Sequence, residues 1–142
     1  MKRYKHYVQA HLDPETNTLL RQACTQCDTS MSRFVRYAIQ PFHYSELAEG
    51  NHDWNDTYHS EDLANPRTRP IRIVIMLSDP EYEMLCRAAY KQQLSRSTYI
   101  RNAINRFLAR DPIAELDGID DQTLRANATT LLTSLAHNTT NQ

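Results

Sequence analysis

Residues 72–80 have the sequence Arg-Ile-Val-Ile-Met-Leu-Ser-Asp-Pro, and this stretch decides the fold. Apolar side chains recur at every second position, as in a half-buried β-strand, and this inward set is Ile73, Ile75 and Leu77. The outward positions between them hold Arg72, Val74 and Met76. The Ser-Asp-Pro that follows favours a helix start, because proline fits the first helical turn and an acid is favourable beside it. The stretch therefore predicts a strand that leads directly into a helix.

The same pattern occurs a second time in the chain. Shifting the sequence against itself by 65 residues aligns Lys5–Phe42 with Pro70–Phe107 without a gap. The aligned identities include these residues of the first copy: Leu12, Leu20, Ala23, Ser30, Ser32, Arg36, Ala38, Ile39 and Phe42. In the first strand the predicted inward set is Val8, Ala10 and Leu12, and the outward set is Lys5, Tyr7, Gln9 and His11. A repeat of this kind sets the architecture, because neighbouring copies share one core.

Two helices are predicted after each strand. The first covers about residues 15–27 and 80–93, with apolar residues at helical spacing: Leu19, Leu20, Ala23 and Cys27, then Met84, Leu85, Ala88 and Ala89. The second begins at Ser30-Met31-Ser32 and at Ser95-Arg96-Ser97, whose hydroxyls suit a helix N-cap. It is expected to stop near Pro41 and before Pro112. Its predicted core residues are Phe34, Val35, Ala38, Ile39 and Phe42, then Tyr99, Ile100, Ala103, Ile104, Phe107 and Leu108.

Charge is distributed unevenly along the chain. Residues 1–44 carry a net charge of +3, residues 45–65 carry -6, residues 66–110 carry +6 and residues 111–142 carry -4, which together give the total of -1. We therefore expect a first copy at 1–44, an acidic linker at 45–69, a second copy at 70–110 and an acidic polar tail at 111–142. Within the tail, four leucines could form one face of a short helix: Leu124, Leu131, Leu132 and Leu135. Charge alone fits a nucleic-acid binder and an ordinary solvated surface equally well.

One strand and two helices cannot close a core, because a single strand leaves its backbone groups unpaired and its apolar face open. Two copies can close one if their strands pair. The predicted fold class is mainly α with a two-stranded antiparallel β-ribbon, in a pseudo-symmetric tandem arrangement with four helices around a shared core. The outward faces of such a ribbon fit the major groove of DNA.

This pattern resembles the ribbon-helix-helix superfamily, which includes the Arc and MetJ repressors. The resemblance rests on residues 73–81, on Leu85 and Ala88, on 95–97, 100–104 and Leu108, and more weakly on 8–39. In its tandem single-chain form the sequence is similar to the TraY-like relaxosome accessory proteins of conjugative plasmids. A transcriptional regulator of a mobile element is equally compatible with it. Either role implies a protein that binds double-stranded DNA and has no catalytic site.

The resemblance also implies roles for individual residues. The base-facing residues would be Tyr7, Gln9, His11, Arg72, Val74 and Met76. The phosphate contacts would be Lys5, Ser30, Ser32, Arg33, Ser95, Arg96 and Ser97. Helix N-termini present free N–H groups and the positive end of a dipole to an anion, which agrees with the serine positions. Gln9 suits adenine, Arg72 suits guanine, and Val74 and Met76 suit thymine methyl groups.

Two further expectations concern partners. We expect a monomer as the folding unit, able to assemble cooperatively on DNA, with a flexible acidic tail that restrains nonspecific binding. In an alternative, the tail leucines form a helix that docks a relaxase, another protein or another subunit. A second class of function is a protein-interaction module. Because Val74 and Met76 are apolar, the ribbon could bind a protein without specific DNA binding.

Other classes have little support. No cofactor and no metal are expected, although Cys24 and Cys27 have zinc-ligand spacing and His43, His52 and His59 follow; the histidine spacing does not fit a zinc site. The two glycines are too few for a glycine-rich phosphate loop, and no nucleophile motif occurs, so an enzyme is not expected. Three cysteines do not make a disulfide framework, which favours reduced thiols and a cytoplasmic location. No apolar stretch is long enough to span a membrane.

Overall fold

The structure, a computed structural model, describes residues 4–50 and 69–140. In chain order its elements are β1 His6–Leu12, α1 Pro14–Gln26, α2 Met31–Ala38, a 3-10 turn Tyr44–Glu46, β2 Ile71–Leu77, α3 Asp79–Lys91, α4 Arg96–Leu108, α5 Pro112–Leu116 and α6 Asp121–Thr140. The described chain is therefore mainly helical with one two-stranded antiparallel sheet, as the sequence predicts. None of its helices is long and apolar enough to cross a membrane.

The two strands pair with each other within the single chain. The register runs from His6 opposite Leu77 to Leu12 opposite Ile71. The predicted inward set is buried in full: Val8, Ala10, Leu12, Ile73, Ile75 and Leu77. Because side chains alternate across a strand, this register sends the six outward residues that lie within the strands to the other face: Tyr7, Gln9, His11, Arg72, Val74 and Met76.

The helices pack crosswise on the ribbon. Helix α4 packs on β1, α2 packs on β2, and these two helices contact each other over the inward face. At their contact the rings of Phe34 and Phe107 lie 4.7 Å apart, and the Tyr99 hydroxyl donates to the carbonyl of Ile39 at 2.9 Å. Each strand is therefore covered by a helix that belongs to the other half of the chain.

The turns between paired helices recur at the same offset as the sequence repeat. Asp28 and Gln93, which are 65 positions apart, are the described non-glycine residues with positive φ, at 51° and 58°. Across the first turn the Thr29 N–H donates to the Cys24 carbonyl at 3.0 Å. Across the second turn the Leu94 N–H donates to the Ala89 carbonyl at 3.0 Å. The chain thus leaves α1 and α3 through the same left-handed turn.

Two residues that the sequence predicts to be buried are exposed. Phe42 is 76% exposed although its aligned partner Phe107 is buried, and Leu19 is 45% exposed. Helix α2 has 8 residues against 13 in α4, so Phe42 lies beyond the end of its helix. Leu19 lies outside the buried stripe of α1, which Leu20 and Ala23 occupy.

The tail is helical and packed, as the alternative of a leucine-faced helix predicts, and it is not the flexible segment of the first expectation. The tail forms α5 and the 20-residue α6, and α6 packs against α3, α2 and the 3-10 turn. The tail residues buried in this packing are Leu116, Leu124, Ala128 and Leu135. The predicted linker also begins inside the fold, because Leu47 and Ala48 are buried and the Ala48 N–H donates to the Arg87 carbonyl at 3.1 Å. Most of the predicted linker, residues 51–68, lies outside the described residues.

Candidate nucleic-acid interface

The outer face of the ribbon brings together the six residues predicted to face bases. They form three cross-strand pairs, which are Tyr7 with Met76, Gln9 with Val74, and His11 with Arg72. Tyr7 is 62% exposed, Val74 43% and Met76 40%, and Gln9 and Arg72 are also exposed. The described part of the chain therefore leaves this face open except at His11, which is half-buried.

Helix α4 holds the backbone of His11 at one end of the ribbon. The Ser97 hydroxyl oxygen accepts from the His11 N–H at 3.2 Å. Arg101 Nη1 donates to the His11 carbonyl at 3.1 Å. Both backbone groups of His11 are thus held by side chains of α4, which fixes β1 relative to the start of that helix. Ser97, predicted as a phosphate contact, already has a structural partner here.

An acidic residue lies at the opposite end, beside the Tyr7 and Met76 pair. Asp79, the first residue of α3, lies 2.8 Å from His6 Nε2 and 3.7 Å from Lys5 Nζ. The hydrogen bond from His6 and the charge of Lys5 lower the pKa of Asp79 below its ordinary value. Lys5 and Asp79 are exposed and His6 is about one third exposed, so water screens these pairs and a phosphate could compete for Lys5.

At the start of α2, as at Lys5, an acidic residue pairs with a predicted phosphate contact. The Ser30 hydroxyl oxygen caps the helix by accepting from the Arg33 N–H at 3.1 Å. The side chain of Arg33, predicted to bind phosphate, instead lies with Nε 3.4 Å from Asp121 Oδ1 of α6. Asp121 also accepts from Arg36 Nη1 at 2.8 Å. The Asp121 carboxylate of the tail therefore lies beside Arg33, one of the predicted phosphate contacts.

The start of α4 is organised differently. Ser95 is buried and caps the helix by accepting from the Thr98 N–H at 3.0 Å. Arg96 donates to the Tyr82 hydroxyl and lies 3.9 Å from the Cys86 sulfur. Its guanidinium lies 5.6 Å from the centre of the Tyr82 ring. Arg96 is therefore folded onto α3, and it would have to change rotamer to reach a phosphate.

Three residues of this surface are not predictable from the sequence alone. Arg101 was recognised only as a repeat identity, and Asp79 and Asp121 were assigned to a helix start and to the tail. Both acids contact residues more than 70 positions away, since His6 and Asp79 are 73 apart and Arg33 and Asp121 are 88 apart. Contacts at such separations follow from the packing of the helices and leave no local pattern in the sequence.

Cys24 and Cys86 are buried, and Cys27 is half-buried. Burial raises the pKa of the Cys24 thiol to about 11, and burial also raises the pKa of Cys86. Such thiols are poor ligands and poor nucleophiles near neutral pH. In residues 4–50 and 69–140 no group of three or more His, Cys, Asp or Glu residues is placed to hold a metal ion. His52 and His59, which follow the two cysteines with zinc-ligand spacing in the sequence, lie outside the described residues.

Comparison with protein-family models, with curated proteins and with solved structures finds no match for this chain.

Proposed function

We propose that this chain is a tandem ribbon-helix-helix protein that binds double-stranded DNA in a sequence-specific manner. The ribbon would enter the major groove, which admits a two-stranded β-ribbon. In the cell the protein would act as a relaxosome accessory factor or as a transcriptional regulator of a mobile element. Its site would be the outer face of the ribbon, flanked by the first turns of α2 and α4.

Three recurrences support the tandem arrangement. The order strand, helix, helix occurs twice, the Ser30 and Ser95 caps are 65 residues apart, and so are the left-handed turns at Asp28 and Gln93. The crosswise packing of α2 on β2 and of α4 on β1 adds a fourth similarity between the halves. Together they favour two copies of one unit folded around one core.

The observation that carries the proposal is the composition and exposure of the ribbon face. A surface strand with no ligand has no need to present two donors that suit base edges, Gln9 and Arg72, beside two apolar groups that suit thymine methyls. Lys5, directly before β1, provides a position for a phosphate contact near the ribbon, and the first turn of α2 provides another if a phosphate displaces Asp121 from Arg33. The interface would thus combine groups that can discriminate bases with groups that can bind any sequence.

Binding to duplex DNA at several salt concentrations tests this proposal. A specific site is first selected from a random duplex library, and affinity for it and for a random duplex is then measured by fluorescence anisotropy. Affinity for both should fall steeply with salt, because phosphate contacts release counterions. Gln9→Ala should cost about 1–3 kcal/mol on the selected site and little on the random duplex.

Lys5→Ala provides the contrasting variant. It should weaken binding to both duplexes alike and lower the salt slope by about one. Lys91→Ala is the matched control, because it removes the same charge at the far end of α3 from an exposed position. Equal effects of Lys5→Ala and Lys91→Ala, or an affinity that does not depend on salt, would show that the ribbon does not bind DNA in this way.

A protein-binding module is the second candidate. The exposed apolar surface of Tyr7, Val74 and Met76 favours it, since such patches also serve protein partners. The two acidic contacts at Asp79 and Asp121 point in the same direction, because they reduce the positive charge available to phosphates. A ribbon of this kind would show no affinity for duplex DNA at low salt, while retaining its fold.

A further inference from the structure

We propose that the cleft between the end of α2, the end of α4 and the middle of α6 binds a small, neutral, planar aromatic molecule with a polar edge. The residues that carry this proposal are Gln40, Phe42, Arg110, Asn127, Thr130 and Leu131, all of which line the cleft. None of the described residues that line it belongs to the ribbon or to the first turns of α2 and α4. The inference therefore does not depend on DNA binding.

The cleft lies where the two halves of the chain differ. Pro41 stands where the second copy has Arg106, and proline does not continue a helix. Helix α2 ends before it after 8 residues, whereas α4 has 13 residues and buries Phe107. Phe42, which aligns with Phe107, is left 76% exposed and forms part of the cleft wall.

Phe42 is held in place although its ring is exposed. Its N–H donates to Glu46 Oε2 at 2.9 Å. The Arg110 guanidinium lies 5.0 Å from the centre of the Phe42 ring and 5.0 Å from the centre of the buried Phe107 ring. Arg110 thus covers one side of the Phe42 ring and connects it to the core. The open side can stack on a second aromatic ring, which prefers a separation of about 4.5–7 Å between ring centres.

The charge of Arg110 is already paired, which decides the charge of the ligand. Nε and Nη2 of Arg110 donate to the two oxygens of Glu115 at 2.9 Å and 2.5 Å, and the Tyr37 hydroxyl donates to the same carboxylate at 3.1 Å. The hydrogen bond from Arg110 lowers the pKa of Glu115, so the carboxylate stays charged near neutral pH. Among the described residues that line the cleft, Arg110 alone carries a charge. A phosphate or carboxylate would have to displace Glu115, and a neutral ligand is therefore favoured.

The remaining lining suits a ring whose edge carries hydrogen-bonding groups. Helix α6 contributes the half-buried Leu131 and the exposed side chains of Asn127 and Thr130. From α2, Gln40 Nε2 donates to the Leu124 carbonyl at 2.8 Å, which orients the amide and leaves its oxygen as an acceptor. Two amides and a hydroxyl thus provide both donors and acceptors beside an apolar and an aromatic side chain.

The volume of the cleft limits the size of the ligand. It is about 270 Å³, whereas sites for drug-sized ligands have about 300–1,000 Å³. One ring or two fused rings would fill this space. A dinucleotide or the helix of a partner protein would not fit within it.

Titration of the full-length chain with indole, followed by amide chemical shifts, tests the proposal. Indole is neutral and bicyclic and carries an N–H on its edge. We expect a Kd of about 1 mM or tighter, with the largest shift changes at the residues that line the cleft. Cyclohexanol, which has a hydroxyl but no planar ring, should bind about fivefold more weakly or worse. Indole-3-carboxylate, which adds a negative charge to the same ring, should also bind more weakly than indole.

Substitutions then locate the site. Phe42→Ala should weaken indole binding about fivefold or more, and Phe42→Trp should retain it. Leu19→Ala is the matched control, because it truncates another exposed apolar side chain that does not line the cleft, and it should leave binding unchanged. Thr130→Trp fills the cleft from an exposed position of α6 and should abolish binding, whether or not Phe42→Ala alters stability.

Several outcomes would overturn the proposal. Indole binding that both Phe42→Ala and Thr130→Trp leave intact, or shift changes that cluster outside the cleft, would place the ligand elsewhere. Tighter binding of indole-3-carboxylate than of indole would contradict a neutral ligand. The absence of shift changes at millimolar indole would show that the cleft is not a site for small aromatic molecules. The proposal of DNA binding would stand in each of these cases.

Discussion

Gln93 has a left-handed backbone conformation, which residues other than glycine rarely adopt. Its φ is 58°, directly after α3, and the Leu94 N–H bond to the Ala89 carbonyl closes the turn around it. A left-handed conformation costs a residue with a Cβ about 1–2 kcal/mol, and glycine avoids most of that cost. We therefore expect Gln93→Gly to raise the free energy of unfolding by about 1 kcal/mol, measured by urea denaturation.

The neighbouring position is the natural control. Gln92 has a φ of -89°, so glycine there relieves no strain and instead adds freedom to the unfolded chain. We expect Gln92→Gly to lower stability by roughly 0.5–1 kcal/mol. If Gln93→Gly lowered stability as much as Gln92→Gly does, the left-handed turn would not be a source of strain.

Sequence reasoning succeeded at residues whose partners are close in the chain. Ser30 and Ser95 cap the helices that they were predicted to begin, and each cap spans three residues. It failed for Arg33, whose partner Asp121 is 88 positions away, and for Phe42, which a strict repeat assigns to the core. The repeat predicts the elements and core positions that the two copies share. It does not predict contacts with the tail, as at Arg33, or a helix that ends early in one copy, as before Phe42.

Helix α6 is the element that the sequence described least well. Its buried residues Leu124, Ala128 and Leu135, with Leu131 partly buried beside them, recur at helical spacing over several turns. The leucines alone give an incomplete helical pattern, because the buried Ala128 belongs to the same face. The many threonines and asparagines around them favour helices only weakly. The strands β1 and β2 were predictable, by contrast, because alternation and repetition pointed to the same residues.

The start of α6 provides a prediction about DNA binding. If Asp121 competes with phosphates for Arg33, Asp121→Asn should tighten binding to random duplex at low salt. The gain should reach up to about fivefold, since an exposed ion pair contributes up to about 1 kcal/mol. The measurement is fluorescence anisotropy over a range of salt concentrations, and the difference from the wild-type chain should shrink as salt rises.

Asp117→Asn controls for net charge. Asp117 is exposed in the turn between α5 and α6, and its substitution removes the same charge as Asp121→Asn. We expect it to change random-duplex affinity little. Equal gains in the two variants would mean that only net charge matters, and the contact between Asp121 and Arg33 would then have no specific role.

At the scale of the whole molecule, one buried ion pair joins the two halves and the tail. Arg36 of α2 donates to Glu81 of α3 through Nε at 2.7 Å and Nη2 at 3.1 Å, and both side chains are buried. Glu81 also accepts from the Ser78 hydroxyl at 2.6 Å, and Arg36 donates to Asp121 of α6. At the corresponding positions of the other half are Arg101 and Thr16, which has no charge. The two halves are therefore held together differently.

Glu81→Gln should destabilise the whole chain, because it removes the buried charged partner of the Arg36 guanidinium and leaves only the partly exposed Asp121 beside it. Breaking a buried pair in this way costs about 3–5 kcal/mol, measured as the loss in free energy of unfolding. Glu83→Gln is the matched control, since Glu83 pairs with Arg87 in the same helix but its side chain is 46% exposed, and we expect a loss of less than about 0.5 kcal/mol. Similar losses in the two variants would contradict this assignment.

The central claim is that the outer face of the ribbon contacts DNA, and amide chemical shifts measured during titration with the selected duplex test it most directly. We expect the largest changes in β1, in β2 and in the first turns of α2 and α4, with the later turns of α6 and the cleft lined by Phe42 and Leu131 little affected. Changes that avoid both strands and cluster elsewhere, or no changes at low salt, would contradict the claim.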